Sequence, residues 1–387
     1  MLENIKQQSL VSLMNYRVFK LGLILLYIFA TIEIFSYIVL VYLHQKGIVY
    51  KPSKVSSYEY AKYLRERDEI VGWPSPQRID PSLSGHEKNT SYISVYGDSF
   101  TEGGNVTYEH TYSSVLSKLL NRRVANYGAG GYGTDQAYIR FYNNIHDNSQ
   151  IVILGVATEN ILRNVNSYRT LLSNQSKDQM FGLKPRFIIN DKGTLELIPL
   201  PKLNYNDFSK LIISPEKYLA YEYFILDGPA GIYKFRFPFT ITLLKAITKN
   251  FHIRANLRQV PWYKEFYEPG HPSNGLYVTY GIINEFYREA KRRNKKPVIL
   301  IIPTPLDLLY FEKKKDWSYK NLTKELQKNN IPFIDAGPYM INYLNGGHPR
   351  ELCQCISGHY NEKGYRILAE TVYKELKDRY GFAENLR

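Results

Sequence analysis

Ser99 stands in Gly97-Asp98-Ser99-Phe100, just past the short apolar run 92–96. A serine hydroxyl is a weak nucleophile until a base takes its proton, after which it attacks acyl carbon. A histidine able to act as that base lies far along the chain, in Gly358-His359-Tyr360-Asn361-Glu362-Lys363-Gly364. Imidazole titrates near neutrality, so it can accept the serine proton and return it to a leaving group. Acyl attack creates a negative oxygen, and two segments offer donors for it. Asn126-Tyr127-Gly128-Ala129-Gly130-Gly131-Tyr132-Gly133-Thr134 carries glycines with open backbone N–H groups, and Leu154-Gly155-Val156-Ala157-Thr158-Glu159-Asn160 ends in an amide side chain. Each segment alone has a plainer explanation. Gly-Asp-Ser is a common strand-to-helix turn, His359 a surface or capping residue, and Asn160 a cap for a helix over 161–164. The glycine run could be a flexible turn or a dinucleotide phosphate loop, but the latter lacks its first-strand context and its acidic partner.

These residues need a scaffold that gathers them, and the hydrophobic pattern supplies one. From residue 92 short apolar runs alternate with amphipathic stretches, the mark of a parallel α/β sheet. Strands are expected at 92–96, 123–127, 151–154, 297–302 and 332–335. Helices are expected at 111–120, 134–145 with Thr134 as N-cap, 275–293, 319–328 and 362–377. Side chains at the carboxyl ends of parallel strands meet at one edge of the sheet, where such folds bind ligands. Alternation fails at about 166–274, which reads as an insertion containing a hairpin through Asn190-Asp191-Lys192-Gly193. The fold expected for 91–387 is a three-layer α/β/α sandwich with a parallel sheet.

Residues 21–43 form an apolar run with Glu33 as its one charge, long enough for a hydrocarbon core of roughly 30 Å. A transmembrane helix is expected there, after a tail at 1–20 and before a linker or lead-in at 44–90. A cleavable signal peptide has a shorter apolar region and a small-residue cleavage site, neither of which is visible. Glu33 is costly in lipid unless neutral or paired. Lys6, Arg17 and Lys20 precede the run and Lys46, Lys51, Lys54 and Lys62 follow it, so charge bias does not set the orientation. The net charge of +14 favours anionic surroundings. The basic runs 288–296 and 313–315 read as solvated faces, and no nucleic-acid motif has its required context. Cys353 and Cys355 are too close for an easy disulfide. With His348 and His359 they could ligate zinc, although Cys-x-Cys is shorter than the usual knuckle and has no second pair.

In order along the chain, the four segments resemble the sequence blocks of SGNH hydrolases, also called GDSL esterases. The resemblance covers roughly 92–379, interrupted by the insertion. It implies Ser99 as nucleophile, His359 as base, and an oxyanion hole built from the N–H groups of Ser99 and Gly131 and the Asn160 side chain. His-x-Asn-x-x-Gly before the last helix also fits the family's last block. Two departures stand out. Glu159-Asn160 replaces the usual Gly-x-Asn-Asp, and Ile356 occupies the position, three before the histidine, where the family carries an orienting aspartate. Asp335, Ser357 or a backbone carbonyl could orient the imidazole instead.

The resemblance implies an ester hydrolase working through a Ser99 acyl-enzyme with no cofactor and no metal. Membrane-tethered relatives act on O-acetyl groups of envelope polysaccharides, as hydrolases or transferases. The expected partners are therefore an ester-bearing substrate such as a polysaccharide, and membrane lipid. The catalytic domain is expected outside the cytoplasm. An O-acyltransferase using the same site, or a non-catalytic envelope-assembly module on a degenerate fold, stand as alternatives. Protein partners are not indicated.

Overall fold

A computed structural model describes residues 2–73, 91–172, 182–356 and 358–380. Among the described residues, nine strands form three sheets. The main sheet holds β2 (Ile93–Gly97), β3 (Val124–Gly128), β4 (Ile151–Ala157), β8 (Lys296–Ile302) and β9 (Phe333–Asp335). All its pairings are parallel, in the order β3-β2-β4-β8-β9. The chain therefore starts at β2, moves outward to β3, and returns past β2 to build the other side. Connections diverge between β2 and β4, leaving a crevice at their carboxyl ends.

Both faces of this sheet are covered, which is why its strands read as continuous apolar runs. Alternate residues divide between two cores. Ile93, Val95, Ile151, Ile153, Val298 and Leu300 face α2 (Tyr112–Leu120), α6 (Ala336–Leu344) and α7 (Glu362–Tyr380). Tyr96, Val152, Leu154, Ile299 and Ile301 face α3 (Thr134–Asn143) and α5 (Gly275–Arg292). The result is a three-layer α/β/α sandwich. Each Ile or Leu so enclosed contributes about 1.5–3 kcal/mol of burial. Thr111 caps α2 by accepting the Ser114 N–H at 3.2 Å. Thr134 is not the cap of α3: Gly133 is, its N–H held by the Gln136 side chain at 3.2 Å.

The hairpin in the insertion is present, β5 (Arg186–Ile189) antiparallel to β6 (Leu195–Ile198). Tyr168, Phe208, Phe224, Phe251, Tyr263, Phe266 and Tyr267 are all buried in the core shared with α3 and α5. These aromatics therefore pack the insertion onto the sandwich and are not a sugar-binding face. The lead-in at 44–90 is likewise no free linker where it is described. Its β1 (Val49–Tyr50) pairs in parallel with β7 (Tyr233–Lys234) of the insertion, and Tyr50, Tyr63 and Val71 are buried.

Helix α1 runs over Leu2–Gln45, and its part Met14–Gln45 is long and apolar enough to cross a membrane. Residues 14–32 are exposed on every side. From Glu33 onward one face is covered: Glu33, Ser36 and Leu40 are buried against α4 (Phe239–Lys249) and the small β1–β7 sheet.

Candidate active site

Ser99 begins the single-turn helix Ser99–Glu102 directly after β2. Asp98 fixes the turn by accepting the Phe100 N–H at 3.0 Å. The turn presses so closely on the strand ends that a Cβ on Gly128 would lie 2.3 Å from the Glu102 backbone nitrogen. A Cβ on Gly97 would lie 2.0 Å from Thr101 Oγ1. Glycine at these two positions is what lets the Ser99 turn sit down on the sheet.

His359 precedes α7 and reaches the same crevice. Its Nε2 is 2.7 Å from Ser99 Oγ although the two residues are 260 positions apart. The ring leans on Phe100, with centroids 4.9 Å apart, and a Cβ on Gly104 would stand 3.3 Å from three of its atoms. Burial pushes the imidazole pKa below its usual 6.5; Glu159 opposes that shift and Arg163 reinforces it. A base with a lowered pKa is neutral, and so competent, over most of the physiological range.

The second ring nitrogen faces Asn105. Nδ1 of His359 lies 3.3 Å from the Asn105 side-chain amide. With the amide nitrogen toward the ring, Nδ1 accepts and the proton sits on Nε2, the wrong tautomer for taking the serine proton. Rotating the amide by half a turn brings Oδ1 to an Nδ1–H and frees Nε2 as the base; the two orientations have nearly the same shape. Asn105 has φ of 73°, a left-handed conformation that asparagine tolerates better than most residues. Asp335 is elsewhere. Its Oδ1 accepts from Tyr319 Oη at 2.8 Å and the Gly337 N–H at 2.9 Å, capping α6. Burial raises its pKa to about 6. Ser357 lies outside the described residues.

On the oxyanion side, the backbone N–H groups of Ser99 and Gly131 donate to no acceptor among the described residues. Gly131 holds φ of 85° on a turn at the crevice rim. Asn160 is wholly buried at the start of the helix Asn160–Asn164, its amide beside the Asp98 carboxylate, whose charged form it favours; among the described residues no other group engages its side chain. Arg163 ties the three loops together. Its Nη1 donates to the Tyr132 carbonyl at 2.9 Å and Asp98 Oδ2 at 3.3 Å, and its Nη2 to Glu159 Oε1 at 2.6 Å. Burial, despite Arg163, raises the Asp98 pKa to about 6.

Arg169, on the next helical turn Arg169–Leu172, adds an unmatched cation. Its Nε and Nη1 are buried with no hydrogen-bond partner among the described residues. Burial and the neighbouring Arg163 push its pKa down to about 9, against Glu159 and Asp98. On the other side of His359 an open hollow of about 440 Å³ is lined by Asn105, Val106, Gln354, Asn361, Glu362, Lys363 and Arg366. The zinc alternative finds no support in the arrangement. His348 Nδ1 accepts the Arg350 N–H at 3.1 Å, Cys353 Sγ turns to the Pro349 carbonyl, and no three metal-ligating side chains converge among the described residues.

Asn105, Arg163 and Arg169 escaped the sequence reading. Arg163 carried a faint signal, four residues after Glu159 on one helical face. Asn105 carried only Gly103-Gly104 before it, and Arg169 none.

No family model and no curated protein matches the chain. Solved structures do. The chain is similar to a lipolytic protein of the G-D-S-L family from Desulfitobacterium hafniense, at 13% identity over 73% of this chain and 97% of that one, with a TM-score of 0.35. A G-D-S-L family member from Veillonella parvula matches at 15% identity over 74% and 98%, with a TM-score of 0.35. The acetylxylan esterase Axe2 from Geobacillus stearothermophilus matches at 12% over 76% and 97%, with a TM-score of 0.37.

Proposed function

We propose that this chain is a serine esterase of the SGNH type, held to a membrane by α1, that removes O-acetyl groups from an anionic envelope polysaccharide. The observation that carries the reading is the 2.7 Å contact between Ser99 Oγ and His359 Nε2 at the carboxyl edge of a parallel sheet. In the mechanism, His359 takes the Ser99 proton as the hydroxyl oxygen bonds to the ester carbonyl carbon. The carbonyl oxygen becomes an oxyanion, held by the N–H groups of Ser99 and Gly131 and by Asn160 Nδ2. The carbon–oxygen bond to the sugar then breaks, and His359 returns its proton to the departing hydroxyl. Water, deprotonated by the same imidazole, releases acetate from Ser99. No step needs a cofactor.

Support for a hydroxyl-rich substrate comes from the polar hollow beside the base, and its anionic character from the Arg169 and Arg366 guanidiniums; Lys363 in that hollow is already paired with Glu351 at 3.2 Å, and Glu362 lines it too. The contact of Ser99 Oγ with His359 Nε2 argues against a non-catalytic module, because a disused site has no need to hold a neutral imidazole on a serine hydroxyl. Membrane attachment rests on the bare apolar surface of residues 21–32, which a soluble core helix would cover. A removed signal sequence would strip away Glu33 and Leu40, which the folded domain packs against. The catalytic domain belongs outside the cytoplasm in this reading, where envelope polymers are; a C-terminal reporter active only in the cytoplasm would overturn that placement.

The direct test is turnover of a small acetyl ester by the purified full chain. Ser99→Ala abolishes it with the fold unchanged; equal rates in the two proteins would remove Ser99 from the mechanism.

A further inference from the structure

Helix α4 lies alongside α1 in a way that a soluble helix does not need. Both oxygens of Glu33 are engaged at its start: Oε2 accepts the Phe239 N–H at 2.6 Å and Oε1 the Thr240 N–H at 3.2 Å. Ser36 Oγ meets Thr240 Oγ1 at 3.1 Å, and Asn250 Nδ2 donates to the Ile48 carbonyl at 3.4 Å. The two helices therefore run in the same direction, α4 starting at the level of Glu33 and ending near the exit of α1. Just before α4, Phe237 reaches further down α1, its ring 6.4 Å from that of Phe29. Tyr37 packs edge-on against Phe235 and Phe239, at 5.5 and 5.1 Å.

The outer face of α4 is apolar and uncovered. Thr242, Leu243 and Ala246 turn inward, while Ile241, Leu244 and Ile247 are 51, 58 and 43% exposed, and Phe237 is 61% exposed. This strip continues into the exposed side chains Phe29, Ile32 and Phe35 of α1. Thr248, exposed within the strip, turns its hydroxyl back to the Leu244 carbonyl at 2.7 Å, and Arg236, exposed beside Phe237, is paired with Asp227 at 3.1 Å. Lys245 and Lys249 are also exposed, but at 100° per residue they project from the other shoulder, in the half of α4 furthest from Phe237.

We infer that α4 and Phe237 are embedded in the lipid bilayer beside α1, so that the catalytic domain is seated on the membrane by a helix pair and not suspended from a single helix. The inference rests on the reading of α1 as a membrane helix. Lipid is the occupant because the bare strip of α4 is continuous with the surface that reading already gives to lipid. A helix that begins within a bilayer exposes N–H groups that hydrocarbon cannot satisfy. Glu33 supplies acceptors for two of them from the neighbouring helix, which also explains a carboxylate within an apolar run. Phe237 leads inward as an apolar anchor, while Lys245 and Lys249 extend their ammonium groups back toward the head groups.

The test uses the full chain with Cys353→Ala and Cys355→Ser, reconstituted into phosphatidylcholine–phosphatidylglycerol vesicles. Single cysteines at Leu25→Cys on α1, Leu244→Cys on the bare strip and Lys249→Cys on the other shoulder carry an environment-sensitive fluorophore. Doxyl-labelled lipid should quench Leu25→Cys and Leu244→Cys more than aqueous iodide does, and iodide should prevail at Lys249→Cys. Iodide quenching at Leu244→Cys with lipid quenching at Leu25→Cys would overturn the embedding of α4 and leave α1 as the membrane contact. Iodide quenching at Leu25→Cys would overturn the membrane reading and this inference with it. Adding Glu33→Ala should move the Leu244→Cys label toward iodide; a label that stays in lipid would overturn the role given to Glu33.

Discussion

The imidazole of the proposed base is held by a neutral amide on an exposed loop, and that predicts how much the holding is worth. Asn105→Gly deletes the amide while keeping a residue at ease at φ of 73°; Asn105→Ala would mix in backbone strain. A neutral hydrogen bond contributes about 0.5–1.5 kcal/mol. At 1.36 kcal/mol per decade, its loss should slow acylation roughly 2- to 13-fold. A buried triad carboxylate can instead be worth about ten-thousand-fold. Asn105→Asp tests the same contact in the opposite direction. A carboxylate beside Nδ1 stabilises the charged imidazole, so the His359 pKa rises and the acid limb of kcat/KM moves to higher pH. It also fixes the tautomer with the proton on Nδ1, so the plateau rate above that limb should increase. Stopped-flow release of p-nitrophenol from the acetate ester, followed against pH, reads both effects. Asp335→Asn, which touches α6 and not the imidazole, should leave the acylation rate unchanged. A thousand-fold loss in Asn105→Gly, or an unshifted pH limb in Asn105→Asp, would refute the reasoning.

Three further outcomes follow from the site and the core. In the unsubstituted protein, the acid limb of kcat/KM should fall below pH 6.5, because burial lowers the His359 pKa and the neutral ring is the active form; pH–rate profiles with a neutral ester check this. Asn160→Ala should reduce kcat by about 10²–10³-fold, as for loss of one oxyanion donor, with the fold retained by circular dichroism. Lys184→Met should destabilise the fold by about 3–5 kcal/mol, because Asp135, which it pairs, is fully buried and would keep only the Gln136 N–H at 2.8 Å as a hydrogen-bond partner; urea unfolding reads the loss.

The sandwich was legible because strands buried on both faces leave continuous apolar runs such as Ile151–Leu154, separated by helices of clear period. Strand order was not legible, since the same runs allow several sequences of crossovers. Ser99 and His359 could be paired from the chain because each sits at a strand end or helix entrance with a characteristic turn around it. Asn105 could not, because its contact with His359 spans 254 residues and depends on one left-handed dihedral. Glu33 read as an unexplained charge in an apolar run, since its acceptors serve amides 206 and 207 residues away. The part played by the insertion's rings was not legible, because aromatic density looks the same whether rings line a cleft or fill a core, and here Phe208, Phe224 and Phe266 fill one.

The central claim is that Ser99 is a nucleophile activated by His359. Treating the purified full chain with a fluorophosphonate tests it before any natural substrate is known, because the reagent phosphonylates an activated serine and loses fluoride. The account predicts a single adduct, mapped by peptide mass to Ser99, absent in Ser99→Ala and strongly slowed in His359→Ala. A folded protein that takes up no label, or a Ser99→Ala variant labelled as fast as the original, would contradict it.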